Sequence, residues 1–306
     1  MLVIQAMATR PTLRFCSIVN KIDTFDLLTK IEHGTNPLAE LKPSLRELAF
    51  HFNEATRKDE TLGWVILSEV EKYYQNTLLK DEIRSFNDFF KLAALFDRDQ
   101  NSINRFFDSI LGLYSPASET KLIQIAKEKK DLEEKQSMRV RGSFEYSHTQ
   151  THYSILMDLF NYLSPESGES FIDIGSGFGR VGLFIGLCFP DLKYQGYELV
   201  EERVNCADTV RLRNQFKNID FKTQDLLDPS FEIPSADYYF LYDPLEKEDL
   251  KNFYLKLKSK PSHKIIAFEG YDDFILEHLN SCPWLREVKR FQSEYFKQTG
   301  AIYESK

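Results

Sequence analysis

Apolar positions recur at helical spacing through the first part of the chain. Between about residues 18 and 135 they return every three or four residues, as at Leu41, Leu45 and Leu48. This spacing places the apolar side chains on one face of an amphipathic helix. Ser85 stands before one such run, where a serine fits an N-cap. The pattern predicts an all-α N-terminal region of about six short helices.

Beyond about residue 138 the pattern changes, and short β-rich runs alternate with amphipathic segments. Five strands are predicted, at residues 170–175, 193–199, 220–223, 237–242 and 264–269. Helices are predicted between them, at 180–188, 201–214, 247–257 and 272–280. This alternation favours parallel strands joined by helical crossovers. Two last runs, 285–292 and 300–304, are too close for a crossover and should pair antiparallel.

The expected fold is therefore α/β, with a Rossmann-like, seven-stranded, mostly parallel sheet that ends in an antiparallel hairpin. A helical N-terminal domain, residues 1–140, should precede this second domain, residues 141–306. Whether the helical domain is a lid, a partner-binding surface or a scaffold is left open by the pattern.

Composition narrows the functional classes. The net charge of -8 argues against a generic basic face, so nucleic acid is a disfavoured partner. The four cysteines are far apart and form no C-x-x-C pair, which fits idle thiols in a reducing compartment. The first residues lack the features of a signal peptide, and no run is apolar enough for a membrane span. A cytoplasmic protein is expected.

A glycine-rich turn is the strongest chemical signal. The segment FIDIGSGFGRVGLF places Asp173 near the end of a buried strand and Gly175, Gly177 and Gly179 before a helix. Glycines let the backbone turn tightly and approach a ligand, and the helix N-terminus offers free N–H groups. Asp173 can accept a hydrogen bond from an ammonium group or from ordered water.

The same turn also spells a dinucleotide motif. Gly177, Gly179 and Gly182 form G-x-G-x-x-G, and Glu198 follows at the spacing expected for a ribose-binding acid. A turn that only packs strand on helix is a further alternative. The Asp before the glycines, the later strand-end acids and the terminal hairpin together favour a different cofactor, although an NAD-dependent oxidoreductase stays open.

Acidic residues follow the next predicted strands. Glu198 ends the second strand in YQGYEL, where its carboxylate can accept from both hydroxyls of a ribose. Asp225 follows the third strand in FKTQDLL, and Asp243 follows the fourth in FLYDP. Each has a simpler alternative as a surface acid, a turn cap or a turn residue before proline.

These segments together resemble class I S-adenosylmethionine (SAM)-dependent methyltransferases. The resemblance rests on DIGSGFG, on the acid of GYEL, on QDLL and on FLYDP, and covers roughly the last 165 residues. Within the class, the chain resembles uncharacterised bacterial members whose turn reads D-x-G-S-G-x-G-R and whose fourth strand ends in F-L-Y-N-P. Asp243 stands where those members have Asn.

The resemblance implies a cofactor, SAM, and a set of residues to hold it. The implied cofactor-binding residues are Asp173, Gly175, Gly177, Gly179, Glu198, Asp225, Tyr146 and Thr151. The last two lie in a segment that folds over the methionine end of the cofactor in the resembling proteins. The nearby His148 and His152 have no Cys or acidic partner at ligand spacing, so no metal is expected.

The fourth strand end borders the transferred methyl group in this class. Tyr242 would line the pocket, and Asp243 would accept a proton from the acceptor, orient it, or simply form a turn. The second proline and the aromatic of base-methylating enzymes are missing, because Leu245 and Glu246 follow Pro244. The sequence predicts methyl transfer to an N or O nucleophile of a protein side chain or small molecule. A cofactor-binding pseudoenzyme or interaction module is the further alternative.

Overall fold

The computed structural model describes residues 27, 31, 44–74, 79, 82–96, 100–113, 151–245, 247–269, 274–292 and 299–306. In its N-terminal part, four α-helices follow one another: α1 (Leu45–Lys58), α2 (Glu60–Tyr74), α3 (Phe86–Ala93) and α4 (Gln100–Leu111). A short 3₁₀ turn, Ala94–Phe96, extends α3. Ser85 caps α3 as predicted, since its hydroxyl accepts from the backbone N–H of Asp88.

The second part alternates strands and helices. Helix α5 (Tyr153–Leu163) leads into the strands β1 (Ser170–Ile174), β2 (Lys193–Glu198), β3 (Ile219–Thr223), β4 (Tyr238–Tyr242), β5 (Lys264–Glu269), β6 (Leu285–Gln292) and β7 (Thr299–Ser305). The helices between them are α6 (Arg180–Cys188), α7 (Glu201–Arg213), α8 (Lys247–Lys258) and α9 (Phe274–Ser281). The predicted elements are confirmed to within about two residues.

The sheet has seven strands in the order β3-β2-β1-β4-β5-β7-β6. Strands β1 to β5 are parallel, whereas β7 lies between β5 and β6 and pairs antiparallel with both. The predicted antiparallel hairpin is thus confirmed. After β1 the chain adds β2 and β3 on one side of β1, and it then crosses over to add β4 on the other side of β1. In open α/β sheets, ligands bind outside the carboxyl ends of the strands at such a switch point.

The N-terminal helices share a core with one face of the sheet. Phe89 of α3 stacks on Phe107 of α4, and its ring centroid lies 5.0 Å from that of Phe184 in α6. Tyr153 of α5 packs against Phe89 and Phe107. A second core lies on the opposite face, beneath α8 and α9. Burial of these large rings stabilises the contact between the helices and the sheet.

Residues 114–150 lie outside the described ranges, and so does the predicted boundary near residue 140. The division into two domains stays a prediction. Within the described ranges, no helix is both long and apolar enough to cross a membrane.

Candidate active site

The glycine turn lies at the switch point of the sheet. After β1, Gly175, Gly177 and Gly179 all have positive φ, of 81°, 55° and 83°. Residues with a side chain rarely adopt these angles, so the turn depends on glycine. The backbone N–H groups of Gly175 and Ser176 both donate to the carbonyl of Tyr197, at 2.9 and 2.8 Å. These hydrogen bonds hold the turn against the end of β2, and α6 begins at Arg180, directly after Gly179.

Two of the glycines are in close contact with neighbouring elements. A Cβ atom on Gly175 would lie 2.8 Å from the Cβ of Pro244, which follows β4. A Cβ on Gly179 would lie 2.7 Å from Ala207 and from the ring of Phe221. Gly175 therefore lets the ends of β1 and β4 come together, and Gly179 lets α6 pack closely against α7 and β3.

Asp173 is buried near the end of β1. Its Oδ2 accepts a hydrogen bond of 2.7 Å from the phenol of Tyr194 on β2. The pKa of Asp173 is raised to about 7, mainly by burial and also by the negative charge of Glu198, while the Tyr194 hydrogen bond acts to lower it. A buried acid of this kind is stabilised in its ionised form by a cation placed beside it.

Tyr194 is a site residue that the sequence interpretation did not identify. Asp173 pairs in register with Gly196, and Tyr194 lies two residues earlier on the same face of β2. A Cβ on Gly196 would be only 2.8 Å from the Tyr194 hydroxyl. The absence of that atom lets the phenol reach Asp173. Alternation along KYQGYE was the available signal, since it places Tyr194, Gly196 and Glu198 on one face.

Glu198 is buried at the end of β2 and contacts the glycine turn directly. Its Oε2 accepts from the backbone N–H of Gly177 at 2.9 Å, and its Oε1 accepts from Val200 N at 3.0 Å. The guanidinium of Arg203, on α7, lies 3.5 Å from Oε1. These contacts hold the carboxylate against the turn. Arg203 was also missed, because a basic residue early in an amphipathic helix reads as surface.

The other predicted acids end neighbouring strands. Asp225 follows β3, is half-buried, and accepts from the N–H of Leu227 at 2.9 Å. That hydrogen bond is the turn cap that the sequence left as its alternative. Gln224 N donates to the Glu198 carbonyl at 2.8 Å, so the β3 end lies beside the β2 end.

Tyr242 ends β4 and is half-buried, as is Asp243 after it. Asp243 has a φ of 42°, in the left-handed region that Asp tolerates better than most residues. The contact of Pro244 with Gly175 brings this strand end to the glycine turn. Glu269, at the end of β5, is buried and accepts from the N–H of Leu276 in α9 at 3.1 Å.

The segment before α5 is described only from Thr151 onward, so Tyr146 and His148 lie outside the described residues. Thr151 is buried, and its carbonyl accepts from Nη1 of Arg180 at 3.1 Å. Burial and the nearby charge of Arg180 lower the pKa of His152 to about 4, which makes this histidine neutral. In the described part of the chain, no group of three or more His, Cys, Asp or Glu residues could hold a metal ion.

Solved structures with a similar fold were found at low sequence identity. A SAM-dependent O-methyltransferase from Thermotoga maritima is 15% identical, with a TM-score of 0.42, over 51% of this chain and 66% of that chain. A precorrin-6y C5,15-methyltransferase from Geobacter metallireducens is 14% identical, with a TM-score of 0.42, over 52% of this chain and 90% of that chain. An rRNA methylase from Streptococcus thermophilus is 10% identical, with a TM-score of 0.41, over 49% of this chain and 95% of that chain.

No protein-family model matches the chain, and no curated protein matches it. Two of the similar structures are described as SAM-dependent methyltransferases. Their likeness to this chain does not indicate an acceptor.

Proposed function

We propose that this chain is a SAM-dependent methyltransferase that methylates an N or O nucleophile of a protein side chain or small molecule. The observation that carries the proposal is the left-handed glycine turn, set between the two buried carboxylates of Asp173 and Glu198 at the switch point of the sheet. Each of these features would bind a different part of the cofactor.

The chemistry of the site fits the cofactor. SAM has an ammonium group and a sulfonium centre at one end and a ribose with two hydroxyls in its middle. Asp173, a buried acid with a neutral phenol as donor, matches the ammonium group. Glu198 would accept from the ribose hydroxyls. Gly175, Gly177 and Gly179 would let the cofactor lie against the main chain, and Asp225 would face the adenine amino group.

The bound cofactor supplies an electrophilic methyl group, and the chain supplies orientation. Asp243 would accept a proton from an amine or hydroxyl acceptor or align that acceptor for in-line displacement. Tyr242 would line the same pocket, and Thr151 and Tyr146 would cover the methionine end. Localisation in the cytoplasm and the absence of a nucleic-acid acceptor remain parts of this proposal.

Calorimetric titration with SAM, S-adenosylhomocysteine and NAD tests the proposal. Gly177→Arg and Glu198→Ala should abolish or strongly weaken binding of the first two ligands. Gly168→Arg is the matched control, because Gly168 also has a positive φ, of 88°, but has no atoms within 4 Å of its Cβ position. It incurs the same backbone strain away from the site. The proposal is supported if the wild type and Gly168→Arg bind SAM and S-adenosylhomocysteine while Gly177→Arg and Glu198→Ala do not.

NAD stays in the titration for a structural reason. A Cβ on Gly182 would lie 2.4 Å from the ring of Tyr194. Gly182 therefore packs helix against strand, as the third glycine of a dinucleotide motif does. Tight binding of NAD in preference to SAM would overturn the methyltransferase proposal. Binding of SAM without turnover in a screen of protein and small-molecule acceptors would instead indicate a cofactor-binding interaction module.

A further inference from the structure

A buried ion pair joins the N-terminal helices to the glycine turn. Asp108 on α4 accepts from Arg180 through both carboxylate oxygens: Nε to Oδ1 is 3.1 Å and Nη2 to Oδ2 is 2.5 Å. Each side chain is 3% exposed. Bidentate pairs of this kind fix the guanidinium in orientation as well as in position.

Arg180 directly follows Gly179 and is the first residue of α6. Its Nη1 donates to the carbonyl of Thr151 at 3.1 Å, and its Cζ lies 5.2 Å from the ring centroid of Tyr153. One guanidinium therefore holds both the end of the glycine turn and the segment that enters α5.

Helix α4 contacts the same segment a second time. Asn104 lies one turn before Asp108, on the same face of the helix. Its Oδ1 accepts from the backbone N–H of Tyr153 at 3.1 Å, and its Nδ2 contacts Nδ1 of His152. The Tyr153 hydroxyl in turn donates to Asp108 Oδ1 at 2.9 Å. A single helix face thus fixes the backbone from Thr151 to Tyr153.

Stability alone does not account for an ion pair in this place. Removing two charges from water costs free energy that offsets much of their mutual attraction. Apolar residues of similar volume often stabilise a core equally well. The rings of Phe89, Phe107 and Phe184 already fill the surrounding contact with apolar surface. What the ion pair adds is a fixed direction for Arg180, and Arg180 directly follows the glycine turn.

We infer that Asp108 is a positioning residue for cofactor binding, acting through Arg180 on the glycine turn and on Thr151. The inference rests on the proposed function. It assigns the N-terminal helices a part in forming the cofactor site: they set the spacing between the glycine turn and the backbone at Thr151.

The test compares variants of the full chain by calorimetry with S-adenosylhomocysteine, at a temperature where circular dichroism shows each variant folded. Asp108→Asn keeps the shape of the side chain and removes its charge. It should weaken binding about tenfold, within the range that residues coupled to a site at a distance typically reach. With an identified acceptor, it should raise KM for SAM more than it lowers kcat.

Leu48→Ala is the matched control, because Leu48 is fully buried in α1 and has no part in the ion-pair network. It lowers stability through a cavity alone. Should Asp108→Asn fail to fold, the double variant Asp108→Leu, Arg180→Met replaces the pair with apolar groups of similar size and keeps the contact packed.

Weaker binding in Asp108→Asn, or in the double variant, with unchanged binding in Leu48→Ala supports the inference. Binding within twofold of wild type in a folded Asp108 variant overturns it and leaves the pair a structural contact. A wild-type chain that binds neither SAM nor S-adenosylhomocysteine defeats the proposed function instead, so the two failures are distinguishable.

Discussion

The phenol oxygen of Tyr194 lies 2.7 Å from Oδ2 of Asp173, and it reaches that position across Gly196. A neutral donor stabilises a buried carboxylate less than a cation does, so the pKa of Asp173 remains raised, at about 7. Near neutral pH the side chain therefore changes protonation readily. A ligand with an ammonium group would bind the ionised form, and its binding would be linked to the loss of a proton.

The ligand-free protein should lose stability as the pH rises through neutrality. The pKa of Asp173 is higher in the folded chain than in the unfolded chain, so its contribution to stability is complete only at acid pH and is lost as the pH approaches 7. Between pH 5 and pH 8 the loss should be about 3 kcal/mol, at about 1.4 kcal/mol per pKa unit. Urea unfolding at several pH values measures it.

Asp173→Asn is the control for that measurement. It removes the titrating group and keeps the side-chain shape, so its stability should vary less with pH, and it should exceed wild type above pH 7. Other groups, including the histidines, titrate in both proteins alike. Parallel pH profiles for the two proteins would contradict the assignment to Asp173.

Tyr194→Phe should move the pH dependence of cofactor binding upward. The Tyr194 hydrogen bond lowers the pKa of Asp173, so its removal raises that pKa above about 7. Tight binding of S-adenosylhomocysteine, which requires the carboxylate in its ionised form, should then begin at higher pH than in wild type. Titration calorimetry from pH 6 to pH 9 measures the shift. Tyr197→Phe, on the opposite face of β2, should leave the midpoint unchanged.

Gly196→Ala should disrupt the same contact sterically. The added Cβ would lie 2.8 Å from the Tyr194 hydroxyl and 2.9 Å from the Cβ of Ser176 and Cδ1 of Phe221. Overpacking of this kind costs about 1–3 kcal/mol. Chemical denaturation measures the loss. The effects of Gly196→Ala and Tyr194→Phe should be non-additive, because the phenylalanine removes one of the three close atoms. Simple additivity would show that the two residues do not interact.

The fold was predictable because its signals are local. Alternation of β-rich runs with amphipathic segments predicted every strand of the sheet, and the short 285–304 segment predicted the antiparallel pair. The glycine turn was equally predictable from the sequence, because a backbone with positive φ favours glycine at Gly175, Gly177 and Gly179. Patterns of this kind depend on neighbours in the chain, and a single sequence contains them in full.

The contacts that complete the site were not predictable in the same way. Asp108 and Arg180 are 72 residues apart, and each reads alone as an ordinary charge in an amphipathic helix. Their burial follows from the packing of α4 against α5 and of α3 against α6, which periodicity does not specify. Tyr194 reads as one more strand aromatic, because its hydrogen bond to Asp173 depends on register and on the missing side chain of Gly196.

Substitution can separate the two roles considered for Asp243, a turn residue and a partner of the methyl acceptor. Its φ of 42° calls for Asn, Asp or Gly, and it follows β4, whose end is where the proposed function puts the methyl acceptor. Asp243→Asn keeps the backbone preference and removes the base. Asp243→Gly keeps the backbone freedom and removes the side chain altogether. Both variants should therefore remain folded and bind S-adenosylhomocysteine with wild-type affinity.

Their turnover distinguishes the roles, once a methyl acceptor has been found. If Asp243 accepts the acceptor's proton, both variants should lose about 100-fold or more in kcat, the usual contribution of a general base. If it only orients the acceptor by a hydrogen bond, Asp243→Asn should retain far more activity than Asp243→Gly, because an amide still accepts a hydrogen bond. Full activity in Asp243→Gly would leave Asp243 as a turn residue, selected for its backbone angle alone.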